Sequence, residues 1–394
     1  MRNQDHIIAI GMSLGLLMSW PVASSGAPAV DANDAGNGYQ ALYSFGKQMT
    51  DGRTPVDDLV RAPDGYLYGV TYAGGTGTCG FPKAKCGTVF RLLPHDQDQT
   101  VVDFPFTDPI TGNLLYAPDS SLTVSPAGTL VGTLGATQGG VYAIGREGDA
   151  SVLHAFDGAD GSRLSAKVAF APDGSLYGAT ISGGQFGHGT IFRIDPQGNF
   201  SVVYNLGQGP ADPIDIFWGL TLGPDGNFYG ASGSQLNATG VGTIFRLTPG
   251  GQVTVLHTFH RGGGPIGRLA LGPDGMLYGF TLQANHGANS AIFRLSTGGK
   301  FSVVAENTPA NPIAGPVVSA DGSIYGTAAP AYGCGVVFKY RQGVSTVTHS
   351  FPCAGSTDGS YPSGGLWLDP DGYLYGTTSS GGTYGYGTVY RIGR

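Results

Sequence analysis

The sequence predicts an all-β protein folded as a seven-bladed β-propeller, its ring closed by the N-terminal strand, which completes the last blade. Three observations carry that expectation. Glycine supplies 69 of the 394 residues while only 12% are charged, a balance that favours short strands and tight turns over helices. One set of words recurs along the chain at a nearly constant interval. The final copy of that set also lacks a strand that the chain provides near its other end.

The anchor word, PDG-x-LYG, places its central glycine at Gly65, Gly174, Gly226, Gly275, Gly322 and Gly372, and a degenerate copy, SPAGTLVGT, places one at Gly128. Successive intervals are 63, 46, 52, 49, 47 and 50 residues, close to the period of propeller repeats. Each unit reads as four short strands, GLxLxPDG, LYGTT, GTVFRL and VTVLHSF, alternating with period two and separated by turn residues. One such sheet cannot bury both faces alone, whereas seven arranged radially can. Glycines in the inner strands let the blades converge at the axis. The last unit ends at GTVYRI without a fourth strand, and YQALYSF, from Tyr39 to Phe45, is a fourth strand without a unit. Pairing the two leaves no open edge at the seam. The second unit, around Gly128, departs most from the pattern, so an irregular blade is expected there.

Outside the repeats, Ile7 to Trp20 forms an apolar segment of 14 residues, ended by Pro21 and followed by small residues that include Ala27–Pro28–Ala29. It is short for a bilayer span and reads as a signal peptide over residues 1–29. A flexible linker is expected over 30–38 and a single propeller domain over 39–394. The four cysteines fit an oxidising compartment, with Cys79 expected to pair with Cys86 and Cys334 with Cys353 across a hairpin turning at Gln342–Gly343. A net charge of −7 without a basic run argues against nucleic acid and anionic membrane surfaces as partners. A secreted or periplasmic monomer without membrane insertion is the expectation.

The words PDGxLYGTT, GG, GTVFR and LHSF, spread over residues 39–394, resemble the Gloeo/Verruco (GloVer) tandem-repeat family. The resemblance implies an extracellular bacterial repeat protein and says almost nothing about activity.

Seven internal copies separate scaffold from exception. His154, His257 and His349 share one place in the fourth strand and read as packing residues. The PDG aspartates mark turns, and Arg91, Arg193, Arg246, Arg294 and Arg391 recur in the third strand. The spacing shows no metal set, phosphate loop or nucleophile elbow, so neither a metal nor a cofactor is expected. The informative column is the start of the first strand, expected to line the channel mouth. It reads Asp57–Asp58, Ser120–Ser121, Ala166–Lys167, Trp218–Gly219, Gly267–Arg268, Ala314–Gly315 and Gly364–Gly365. Small residues dominate it, so Asp57, Asp58, Lys167, Trp218 and Arg268 stand out as ligand-binding candidates. His188 and His286, in loops on the same face, join them, and Phe186, Tyr384 and Tyr386 could form an aromatic rim. Two carboxylates, two cations and an indole suit a polar ring such as a sugar, or else form a salt-bridged plug.

The leading expectation is a propeller binding a carbohydrate or cell-surface ligand at the channel mouth. A polysaccharide lyase or glycoside hydrolase is the alternative, with Asp57, Asp58 or a loop histidine as acid or base. A structural or adhesive repeat protein is the third reading. Mouth residues that differ between blades argue for one central site rather than seven equal ones.

Overall fold

The computed structural model describes residues 38–393 except 78–85, 94–96, 105, 108–113, 116–117, 119, 121, 136–137, 146–147, 165–166, 234–241, 260–263, 282–289, 307, 309–310, 330–333 and 354–355. The signal-peptide segment, most of the linker, Cys79 and His286 therefore lie outside the described residues.

Seven antiparallel sheets form the blades of a β-propeller, spanning residues 52–103, 123–155, 169–205, 220–258, 265–306, 311–350, and 360–392 together with 39–44. They are called blades one to seven in that order. The strand Tyr39–Ser44 pairs antiparallel with Thr388–Ile392, Tyr39 opposite Ile392, so the first described strand is the outer strand of blade seven. An additional hairpin, Phe106–Thr107 with Leu114–Leu115, sits between blades one and two and accounts for the long first interval.

The core lies between blades rather than within them. Seven buried clusters each join neighbouring sheets, such as Leu42, Phe45, Leu59 and Phe90 across blades seven and one, or Tyr278, Phe280, Ile324 and Phe338 across blades five and six. The glycine of LYG follows from this packing. In every blade it pairs with the aromatic of the third strand, as Gly279 does with Phe293 and Gly376 with Tyr390. A methyl group on either glycine would overlap that ring, so the position needs a residue without Cβ. The PDG aspartate ends the turn and reaches forward to the same motif: Asp64, Asp225 and Asp274 accept the hydroxyls of Tyr68, Tyr229 and Tyr278 at 2.6, 2.8 and 2.8 Å. Burial, and then the Asp64 carboxylate, push the Tyr68 phenol up to about 12.

Each outer strand carries a β-bulge at one place, leaving Leu42, Val101, Leu153, Val203, Leu256, Val304 and Thr348 between paired neighbours. The extra residue increases local twist. The histidine that follows lies flat on an aromatic of the next outer strand. His154 stacks on Phe200 at 3.5 Å and His257 on Phe301 at 3.8 Å. These histidines are scaffold, as their recurrence indicates.

Cys334 and Cys353 form a disulfide across the hairpin of blade six, where Arg341 faces Val344. Cys86 is buried and disulfide-bonded; its expected partner lies outside the described residues.

Candidate functional site

The antiparallel order puts the second-to-third loops and the connections between blades on one face. The backbone ties them together there: the amides of Gly75, Gly184 and Gly382 donate to the carbonyls of Asp51, Gly158 and Ser356 at 3.1, 2.9 and 3.1 Å. The channel opens between these loops.

Down the channel, the inner strands of blades one and five break their pairing at Asp57–Leu59 and Gly267–Leu269. Asp57 sits at φ 59° where blade five has Gly267 at 74°. An aspartate tolerates that left-handed conformation by bonding its own backbone. Here its Oδ1 accepts the amide of Asp58 at 3.0 Å. Asp58 of blade one, Lys167 of blade three and Arg268 of blade five meet in the channel, with Oδ2 of Asp58 at 3.3 Å from Nζ of Lys167 and 3.6 Å from a guanidinium nitrogen of Arg268. Glycines fill three of the four intervening positions, with Gly219 against the Lys167 backbone, Gly315 against the Arg268 backbone and Gly365 facing Asp58, while blade two has a serine in that column. Seven large side chains would not fit this circle, and three large ones separated by small residues do.

The three groups are not equally open. Asp58 and Lys167 are 14% and 12% exposed, Arg268 38%. Burial pushes the Lys167 ammonium down from its usual range. Asp58 opposes that shift, Arg268 adds to it and Asp57 works against it. The carboxylate thus holds two cations, one sealed in and one reaching toward solvent. Trp218, one residue before Gly219, is half-buried, and its indole N–H is shielded from solvent with no hydrogen-bond partner among the described residues.

His188 stands apart from this cluster. Its imidazole covers Gly207 as the ring of Tyr386 covers Gly46, and its Nδ1 is 3.6 Å from Asp215. Nothing in the residue types announces what surrounds it. Thr54, Arg163, Asp215 and Tyr361 all adopt φ between 54° and 57°, and each donates its amide across a blade boundary, to the carbonyls of Tyr386, Gln138, His188 and Cys334 respectively. Their residue types differ because the backbone position, not the side chain, is what repeats. Non-glycine residues held in this region carry strain of about 1 kcal/mol or more each. They place varied side chains around the opening, Arg163 and Tyr361 exposed, Thr54 and Asp215 half-buried.

The exposed aromatics among the described residues, Tyr72, Phe186, Tyr361, Tyr384 and Tyr386, are all carried by the loops and strand ends of this same face. Four of them belong to blades seven and one, where Arg53 also lies over the Tyr386 ring at 4.2 Å. Among the described residues no group of three His, Cys, Asp or Glu side chains is placed to hold a metal ion, and no helix is long and apolar enough to cross a membrane.

A search of curated proteins finds no match. Solved propellers do match in fold. A streptogramin B lyase superposes with a TM-score of 0.62 at 16% identity, covering 90% of this chain and 97% of the lyase. An oligogalacturonate lyase in complex with manganese gives 0.53 at 12% identity, covering 86% and 97%. The extracellular domain of a hybrid two-component system from B. thetaiotaomicron gives 0.57 at 12% identity, covering 90% of this chain and 41% of that one. At these identities the likeness is one of fold. Residues 128–309 match the model of the Gloeobacter/Verrucomicrobia repeat, which supports the resemblance read from the recurring words.

Proposed function

We propose that the protein is a secreted or periplasmic propeller that binds a carbohydrate across the opening of its channel. The observation that carries this reading is the one-sided distribution of exposed aromatics. Tyr72, Tyr361, Tyr384 and Tyr386 crowd the rim at blades seven and one, where rings could stack on the apolar faces of sugar units. Arg268, the open member of the central cluster, supplies directional donors to hydroxyl or carboxylate oxygens below them. The disulfide at Cys334–Cys353 supports a location outside the reducing cytoplasm.

The test is affinity electrophoresis through gels containing plant or bacterial polysaccharides, comparing the wild type with Tyr384→Ala/Tyr386→Ala and with Arg268→Ala. Retardation in at least one polymer, weakened about tenfold in both variants, is the expected result. Retardation unchanged by either variant would remove the site from this face. Release of soluble products from the retarding polymer would make the protein an enzyme rather than a binding module.

A further inference from the structure

Six blades carry an acid in the first-to-second turn, a tyrosine on the second strand and a cation on the third. They are Asp64, Tyr68 and Arg91 in blade one, and Asp173, Tyr177 and Arg193 in blade three. Blades four and five repeat them as Asp225, Tyr229 and Arg246, and Asp274, Tyr278 and Arg294. In blade six Lys339 lies over the Tyr325 ring, and in blade seven Arg391 is opposite Tyr375. The tyrosine fills the gap to the next blade. The phenol of Tyr177 reaches the carbonyl of Pro249 at 3.2 Å, and that of Tyr229 the carbonyl of Thr297 at 3.3 Å. Both carbonyls belong to the third-to-fourth turn of the following blade.

Blade two has lost all three residues together. Ala127 stands for the aspartate, Val131 for the tyrosine and Ala143 for the arginine. One such loss would be drift in a repeat. The joint loss removes a phenol, its acceptor and its cation, leaving no polar remnant of the set behind. What remains between blades two and three is a cavity of about 160 Å³, walled by Val131, Ala143, Leu153, Phe170, Leu176 and Ile194 and floored by the turn at Pro196. The blades have not closed over it. Their spacing is set by the complete tyrosine interfaces around the rest of the ring, so the site cannot collapse freely.

We propose that this cavity is a binding site for a small phenol, which takes the place of the missing tyrosine side chain. The sister interfaces define the occupant. In blades three and four an aromatic ring fills the equivalent space with its hydroxyl on the turn carbonyl of the next blade, and for the blade-two gap the corresponding carbonyl, in blade three, is that of Pro196. The size agrees, since an apolar cavity of about 150 Å³ accepts a benzene ring. The site lies on the face carrying the first-to-second and third-to-fourth turns, opposite the aromatic rim, and does not depend on the carbohydrate reading.

The test uses the whole protein and p-cresol, the side chain of tyrosine as a free molecule, followed by calorimetric titration and by thermal unfolding. Saturable binding of one equivalent and a rise in melting temperature are expected. Toluene, without the hydroxyl, should bind several-fold more weakly. Val131→Tyr combined with Ala127→Asp and Ala143→Arg rebuilds the repeat and should weaken p-cresol at least tenfold. Val131→Phe fills the space with a single change and should do the same if the triple variant folds poorly. Absence of p-cresol binding, equal affinity for toluene, or binding that survives both fillings would overturn the proposal. Binding of a tyrosine-containing peptide without binding of p-cresol would overturn it in favour of a partner protein.

Discussion

The imidazole of His349 lies flat on the phenol ring of Tyr39, their centroids 3.8 Å apart and their planes 4° from parallel. The two residues come from opposite ends of the folded chain, yet they repeat the pairing of His154 with Phe200 and His257 with Phe301. Tyr39 also donates its hydroxyl to the carbonyl of Asp358 and packs edge-on against Phe351. The seam is thus built to the same pattern as the other blade interfaces.

Acid should loosen that seam first. Burial holds the His349 pKa below its usual 6.5, opposed by Asp358, and its Nε2 is buried with no partner among the described residues. The folded state therefore favours the neutral ring. The stabilisation is complete above 6.5 and is lost as pH falls through the lower folded value. Hydrogen exchange across Tyr39–Ser44 should accelerate in that window, and His349→Phe should abolish the acceleration. Equal acceleration in the variant would assign it to other groups.

Tyr390→Phe should leave stability unchanged or raise it by about 1 kcal/mol, because a buried hydroxyl without a partner is a liability. The Tyr390 hydroxyl is buried and unpaired among the described residues, and five blades use phenylalanine at the same place, Phe90, Phe192, Phe245, Phe293 and Phe338. Urea unfolding of the two proteins decides it. A loss above 1 kcal/mol would mean that the hydroxyl has an acceptor.

Asp58→Asn should destabilise the protein by about 3 kcal/mol, the usual result of removing one partner of a buried ion pair. Lys167 would then face Arg268 without the carboxylate that holds both. Adding Lys167→Met should restore most of the loss. Chemical denaturation of the single and double variants measures both steps, and an Asp58→Asn protein as stable as the wild type would show that the cluster adds nothing to the fold.

Replacing Cys334 and Cys353 by serine should cost about 3 kcal/mol, the loop-closure value for a cross-link spanning 19 residues. Thermal unfolding of the oxidised wild type against the double variant tests it, and superimposable curves would contradict it.

The sequence made much of this architecture legible. The orphan strand at Tyr39 and the truncated last repeat implied the closure, and the turn at Gln342–Gly343 implied the Cys334–Cys353 link. The column at the start of the inner strands isolated Asp58, Lys167 and Arg268 as exceptions. It could not show that they touch, because contact depends on how the closed ring brings three non-adjacent blades together. The outer-strand bulges were hidden because Leu42, Val203 and Leu256 are ordinary strand formers, and a bulge is a property of register rather than residue type. The left-handed residues Thr54, Arg163, Asp215 and Tyr361 were hidden for a related reason, since only glycine announces positive φ in a sequence.

Ring closure by the first strand also sets the timing of folding. Gln40 and Arg391, which bond across the seam, are 351 residues apart, so during synthesis the outer strand of blade seven waits for nearly the whole chain before its partner exists. Long-range pairing of this kind is slow and leaves strand edges unprotected meanwhile. Blades one to six can each assemble from contiguous chain, and their nascent stack would grow before the circle shuts. The slowest folding phase should therefore be the capture of Tyr39–Ser44 by Thr388–Ile392, with exposure to aggregation confined to the interval before it.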